Sequence, residues 1–182
     1  MEMDTVAAVV ASALPNAGFL MARWIGRKMS SSLWLADLKH PPWVTEIIQY
    51  ALTMAWAVAN FMMGHLSYIV WDKSDVGSRT GSALPMTSYV FLLLLFWTHY
   101  PIYLLSRSLK YGLVDILLTM VAAISTFVLF SQVTSQTTRL MSLFMVLLAH
   151  EVLYSTWLFM RNPSGRILQT NKHCRSKRSF AK

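Results

Sequence analysis

The chain contains five long apolar runs, and each has about the length of a membrane-spanning helix. They cover Val6–Trp24, Ile47–Trp71, Met86–Leu105, Tyr111–Phe130 and Leu140–Met160. A helix needs about 20 apolar residues to cross a hydrocarbon core of about 30 Å, and backbone polar groups in lipid must be paired within the segment. Strands of a membrane barrel would alternate apolar and polar residues, and these runs do not. The sequence therefore predicts an all-α membrane protein, a bundle of five transmembrane helices.

Composition and charge agree with this prediction. Of the residues, 55% are hydrophobic and 13% are charged, whereas a soluble domain has about 25% charged residues. With five spans, three of the 16 lysines and arginines lie on the side of the N-terminus and thirteen lie on the other side. Because basic residues favour the cytoplasmic side, we expect the C-terminus in the cytosol. The net charge of +8 is thus a signal of topology, and we expect no nucleic-acid partner.

The chain divides into two predicted regions. Residues 1–163 form the five-helix bundle, and residues 164–182 form a basic cytosolic tail that contains Cys174, the single cysteine. The tail would either contact anionic lipid headgroups or only fix the orientation of the chain. The acidic start, MEMDTV, lacks the basic region of a signal peptide, so we expect the first span to remain in the mature protein.

Aromatic and polar residues share faces on four of the predicted helices. Residues three or four positions apart lie on one face of a helix. The stripes are Trp56, Asn60, Met63 and Ser67 on span two, Phe96, His99 and Tyr103 on span three, Tyr111, Asp115 and Leu118 on span four, and His150, Tyr154, Trp157 and Arg161 on span five. Such stripes suit a flat, mostly apolar ligand with a polar end, but they also suit helix packing or contact with lipid. Asp115 would contact the ligand or pair with Arg107 or Lys110.

Signatures of enzymes are missing from the sequence. It contains no HExxH, P-loop or GxSxG motif. The five histidines are scattered singly, and no cysteine-based metal site is available. We therefore predict no catalytic residues, no metal site and no required cofactor.

Five stretches follow one another along the chain: ALPNAGF in span one, LWLADLKHPPW after it, MMGHLSYIVWDK at the end of span two, FWTHYPIYLLSRSLKYGLVDILL through spans three and four, and RLMSLFMVLLAHEVLYSTWLFMRN in span five. In this order they resemble the translocator protein family, also called tryptophan-rich sensory proteins. The similarity covers about Leu14 to Asn162. No single motif is specific, but the ordered set is, and the five-span topology agrees with it.

The chain departs from the family pattern at several positions. Trp97, Pro101 and Asp115 match, whereas Phe96 replaces an Asn, and His99 and Tyr111 each replace a Trp. The sterol-recognition pattern near the end of span five fails by one residue. The positions nearest to its Tyr and Asn are Trp157 and Thr156. These departures bear on the identity of the ligand rather than on the fold.

The resemblance implies a receptor or translocator that binds porphyrin, haem or a cholesterol-like lipid between its helices, in lipid or tetrapyrrole transport or in stress signalling. The residues expected to bind the ligand are Trp56, Asn60, Trp97, His99, Pro101, Tyr111, Asp115, Leu118, Thr156 and Trp157. His99 would also allow contact with the iron of a haem. Membrane lipid, a homodimer and the mitochondrial outer membrane are the implied partners and location. The alternatives are a porphyrin-degrading enzyme and a scaffold that binds a protein and no small ligand.

Overall fold

The computed structural model describes residues 2–29, 38–75 and 83–162, and five helices account for most of them. They are α1 (Glu2–Met29), α2 (Glu46–Asp75), α3 (Ala83–Ser106), α4 (Leu109–Val133) and α5 (Thr137–Arg161). All five are long and apolar enough to cross a membrane. The prediction of an all-α, five-helix membrane bundle is confirmed. The predicted tail, residues 164–182, lies outside the described residues.

The helices form a closed ring whose order differs from the order of the chain. Around the ring, α1 contacts α2, α2 contacts α5, α5 contacts α4, α4 contacts α3, and α3 contacts α1. Helices α3 and α4 are neighbours because only two residues connect them, as the short turn in the sequence predicts. This turn is tight enough to place Arg107 at φ 47°, a left-handed conformation that is uncommon for residues other than glycine.

Small residues allow α1 to approach its two neighbours closely. A Cβ atom at Gly64 of α2 would collide with the backbone of Ala11 and Ser12, and one at Gly18 would collide with the indole of Trp97. The Trp97 indole nitrogen also donates a hydrogen bond of 3.3 Å to the carbonyl oxygen of Pro15. Trp97 thus connects α3 to α1 through packing and a hydrogen bond.

The centre of the ring is filled at one end and hollow at the other. An open pocket of about 460 Å³ also lies at the filled end, between residues of α1, α2 and α3 that include Ala11, Trp71 and Met86. At the end where α2 and α4 finish and α3 and α5 begin, apolar side chains from four helices meet and exclude solvent. Among the fully buried ones are Leu66, Val70, Leu92, Phe130 and Met141. At the end where α2 and α4 begin, the side chains leave a cavity.

Candidate functional site

The cavity has a volume of about 230 Å³ and is partly open to the outside. All five helices and the end of the connection to α2, at Val44, contribute to its wall. Its lining residues are Phe19, Ala22, Val44, Gln49, Leu52, Thr53, Trp56, Phe96, His99, Tyr100, Ile116, His150, Glu151 and Tyr154. The cavity therefore lies at the end of the bundle to which the charge distribution assigns thirteen of the sixteen basic residues.

Aromatic rings form the inner wall of the cavity. Phe19 of α1 stacks on Phe96 of α3 with ring centroids 5.9 Å apart. Trp56 of α2 lies 5.1 Å from Phe96 and meets Phe144 of α5 edge-on at 5.5 Å. Contacts of this kind hold rings in defined orientations. The result is an apolar floor of aromatic rings on one side of the cavity.

The polar groups of the cavity lie on α2, α3 and α5. Gln49 and Thr53 belong to α2, His99 and Tyr100 to α3, and His150, Glu151 and Tyr154 to α5. Hydrogen-bonding groups that face an otherwise apolar pocket fix the orientation of a ligand. Although His150 and Glu151 are adjacent on the helix, the cavity is wide enough for both side chains to reach its wall.

His99 and Asp115 form a pair across the α3–α4 interface. The Nδ1 atom of His99 lies 2.8 Å from Oδ2 of Asp115, and the side chains are 14% and 8% exposed. The two antiparallel helices bring them together because the connection at Arg107 is so short. Of the sequence alternatives for Asp115, neither Arg107 nor Lys110 is the salt-bridge partner in the described part of the chain; His99 is. The carboxylate orients the imidazole so that its Nε2 is left for other contacts, as a carboxylate does when it is hydrogen-bonded to a metal-binding histidine.

Residues 38–45 of the α1–α2 connection fold against the cavity end of the bundle. The Nδ1 atom of His40 lies 3.0 Å from the hydroxyl of Tyr154. Asn162 holds both backbone groups of Lys39, accepting from its N–H at 3.0 Å and donating to its carbonyl at 3.2 Å. Trp43 meets Trp157 edge-on at 5.8 Å. These contacts connect the segment to the last turns of α5, close to the cavity wall.

The ten residues predicted to bind a ligand take three kinds of position. Trp56 and His99 line the cavity, and Asp115 lies behind His99. Five others do not line the cavity. Asn60 contacts Asn16, the Trp97 indole donates a hydrogen bond to Pro15 of α1, and Pro101 lies within α3. The Thr156 hydroxyl donates a hydrogen bond to the carbonyl of Val152, and Trp157 packs on Trp43. Tyr111 and Leu118 are 59% and 53% exposed on the outside of α4. Ligand contact by these ten residues stays a prediction.

Several cavity residues were not predicted as ligand contacts. Phe96, Tyr100, His150, Glu151 and Tyr154 line the cavity. Three of them lie on the polar stripes of spans three and five, but the pattern does not say which stripe faces inward. Among the described residues, no group of three or more His, Cys, Asp or Glu side chains could hold a metal ion.

A closed ring of five apolar helices defines this chain as a multi-pass membrane protein. Residues 9–158 match the TspO/MBR family, and the chain belongs to that family. It is 31% identical to the human Translocator protein over 144 residues, covering 75% of this chain and 83% of that protein. It is 29% identical to the pig Translocator protein over 162 residues, covering 84% and 92%. The names of these relatives describe translocators and not enzymes.

Proposed function

We propose that the protein is a membrane receptor or carrier, rather than an enzyme, for an amphipathic ring ligand of the sterol or porphyrin class. The observation that carries this proposal is the cavity, in which a floor of Phe19, Trp56 and Phe96 faces polar groups on α3 and α5. Aromatic faces supply contact area to a flat ring system, and a few polar groups fix its orientation. The resemblance to the translocator family supports the same ligand classes.

The size of the cavity favours the smaller of the two ligand classes. Pockets for drug-sized ligands typically measure about 300–1,000 Å³, and this one measures about 230 Å³. A sterol would insert one end of its ring system, with its hydroxyl close to the polar groups, and leave the remainder in the opening. A haem would have to widen the cavity, and the Nε2 of His99 is the atom that would then contact its iron.

We further propose that the cavity end of the bundle faces the cytosol at the mitochondrial outer membrane. The basic residues on the predicted cytosolic side support the orientation, and the family resemblance supports the organelle. Apolar residues on the outside of the ring would contact lipid or a second copy of the chain. Cysteine labelling of Cys174 in sealed mitochondria, with a membrane-impermeant reagent, tests the orientation: a tail that reacts only after lysis contradicts it.

Binding is tested on purified protein in lipid nanodiscs, with empty nanodiscs as the blank. Cholesterol, haem and protoporphyrin are titrated, and we expect saturable binding of at least one. Phe96→Ala should weaken that binding about tenfold, because it removes the ring between Phe19 and Trp56. Phe91→Ala, on the outward face of the same helix, is the matched control. The absence of saturable binding to all three, with folded protein, would reject the proposal.

A further inference from the structure

The cavity contains a carboxylate without a charged partner. Glu151 lies on its α5 wall. Among the residues that the structure describes, none makes a hydrogen bond or salt bridge with this side chain. A charge that leaves water is costly unless it is paired. An isolated acid in an apolar cavity within a membrane span is therefore a group whose natural partner is a ligand.

The other titratable groups near Glu151 do not supply a paired cation. The imidazoles of His99 and His150 interact electrostatically with Glu151, and so do the side chains of Tyr103 and Tyr154. Tyr100 lines the same cavity. His99 is already engaged by Asp115, so a positive charge on His99 is matched there. His150 lies beyond salt-bridge distance, and its buried Nδ1 has no hydrogen-bond partner among the described residues. No lysine or arginine is found among the described lining residues.

The walls around this acid suit a positive charge. Rings of Phe19, Trp56, Phe96, Tyr100 and Tyr154 line the same cavity. The face of an aromatic ring carries partial negative charge, and rings of this kind attract organic cations. An unpaired carboxyl group in such surroundings is most stable uncharged, and an ammonium group next to it would stabilise its ionised form. Together the rings and the carboxyl group form a mostly apolar pocket that suits a positive charge.

We propose that the preferred ligands of this cavity are lipophilic amines, in which a protonated nitrogen on an apolar ring system is the counter-charge of Glu151. The inference rests on the proposed function in one respect, because it assumes that the cavity binds a ligand. It narrows the class of ligand, because the carboxylates of a porphyrin would meet Glu151 with like charge, whereas an ammonium group would satisfy it. A neutral sterol would occupy the same space without the ionic contact.

A matched pair of sterols tests the inference. Cholesterol and 3β-aminocholest-5-ene share one ring system and differ at the polar group. Binding of each is measured on the full chain in nanodiscs of zwitterionic lipid, with empty nanodiscs as the blank. At pH 7 we expect the amine to bind about tenfold more tightly than cholesterol, the gain of one charge-assisted contact. Equal affinities for the two sterols would overturn the inference.

Variants of Glu151 test whether its carboxylate is the source of the preference for the aminosterol. Glu151→Gln should weaken binding of the aminosterol about tenfold, so that its advantage over cholesterol in the same variant is lost. Asp72→Asn removes the same charge from an exposed position near the other end of α2 and should leave both affinities within about twofold of the starting values. A preference for the amine that survives in Glu151→Gln would overturn the assignment. If that variant does not fold, Glu151→Asp and the unmodified chain supply the comparison.

The outcomes separate the two proposals. Saturable binding of cholesterol without preference for the amine rejects the inference and leaves the proposed function standing. Binding of a porphyrin, with no binding of either sterol, also rejects the inference and leaves the proposed function standing. Absence of binding by the sterols and the porphyrins alike rejects both.

Discussion

The two ends of the ring have different interiors. At the filled end, Val70, Tyr89 and Phe130 interlock with side chains of α5. At the cavity end, the aromatic rings pack on one another along the wall, and polar groups of α3 and α5 face the space between them. The difference indicates that packing at the filled end stabilises the ring, and that the cavity end leaves space for a ligand.

The largest expected effect is at the filled end. Phe130 is fully buried, so Phe130→Ala should lower the free energy of unfolding by about 3–5 kcal/mol, through lost contacts and the void that remains. Phe96→Ala at the cavity end should cost less, because that ring already borders a space. Thermal unfolding in nanodiscs measures both. Equal losses would contradict the division into a filled end and a hollow one.

The pair at the α3–α4 interface should contribute less than the apolar core. Asp115→Asn removes the negative charge next to His99, and we expect a loss of about 1 kcal/mol, since polar contacts between membrane helices are worth about 0.6–1.7 kcal/mol. Asp72→Asn, at an exposed position at the opposite end, is the control for a lost charge. A cost similar to that of Phe130→Ala would mean that the cavity end also carries the stability of the ring.

The smallest effect should be local to the segment at residues 38–45. Asn162→Ala removes both hydrogen bonds to Lys39, and each exposed bond contributes about 0.5 kcal/mol. Global unfolding should hardly change, but amide hydrogen exchange of residues 38–45 should become several-fold faster. Asn162→Asp keeps the acceptor and should give about half the effect. Unchanged exchange in Asn162→Ala would show that Trp43 and His40 alone hold the segment.

The sequence predicts which residues share one face of a helix, but it does not predict which face lies inside the ring. Trp56 and His99 lie on the cavity wall, and their contact with a ligand stays a prediction. Tyr111 and Leu118 share a stripe with Asp115, yet they are exposed, because the inner face of α4 is the side that meets α3 and α5. A stripe defines a face, and only the neighbouring helices decide whether that face is inside the ring.

Glu151 illustrates the limit of the sequence. Adjacent residues such as His150 and Glu151 point about 100° apart on a helix, so sequence spacing does not place them in one site. The cavity spans enough of the α5 surface to include both side chains. The width of a cavity depends on the spacing of several helices, and no local pattern encodes it.

By itself, the sequence determined the number of spans and their helical form, because lipid imposes both on a chain through length and backbone pairing. It also determined the distribution of basic charge from which an orientation is predicted. The tertiary structure decided the order of helices around the ring, the pairing of His99 with Asp115 and the isolation of Glu151 in an aromatic cavity. These depend on contacts between residues far apart in the chain. In a membrane, where every outer face is apolar, hydrophobicity cannot distinguish inside from outside.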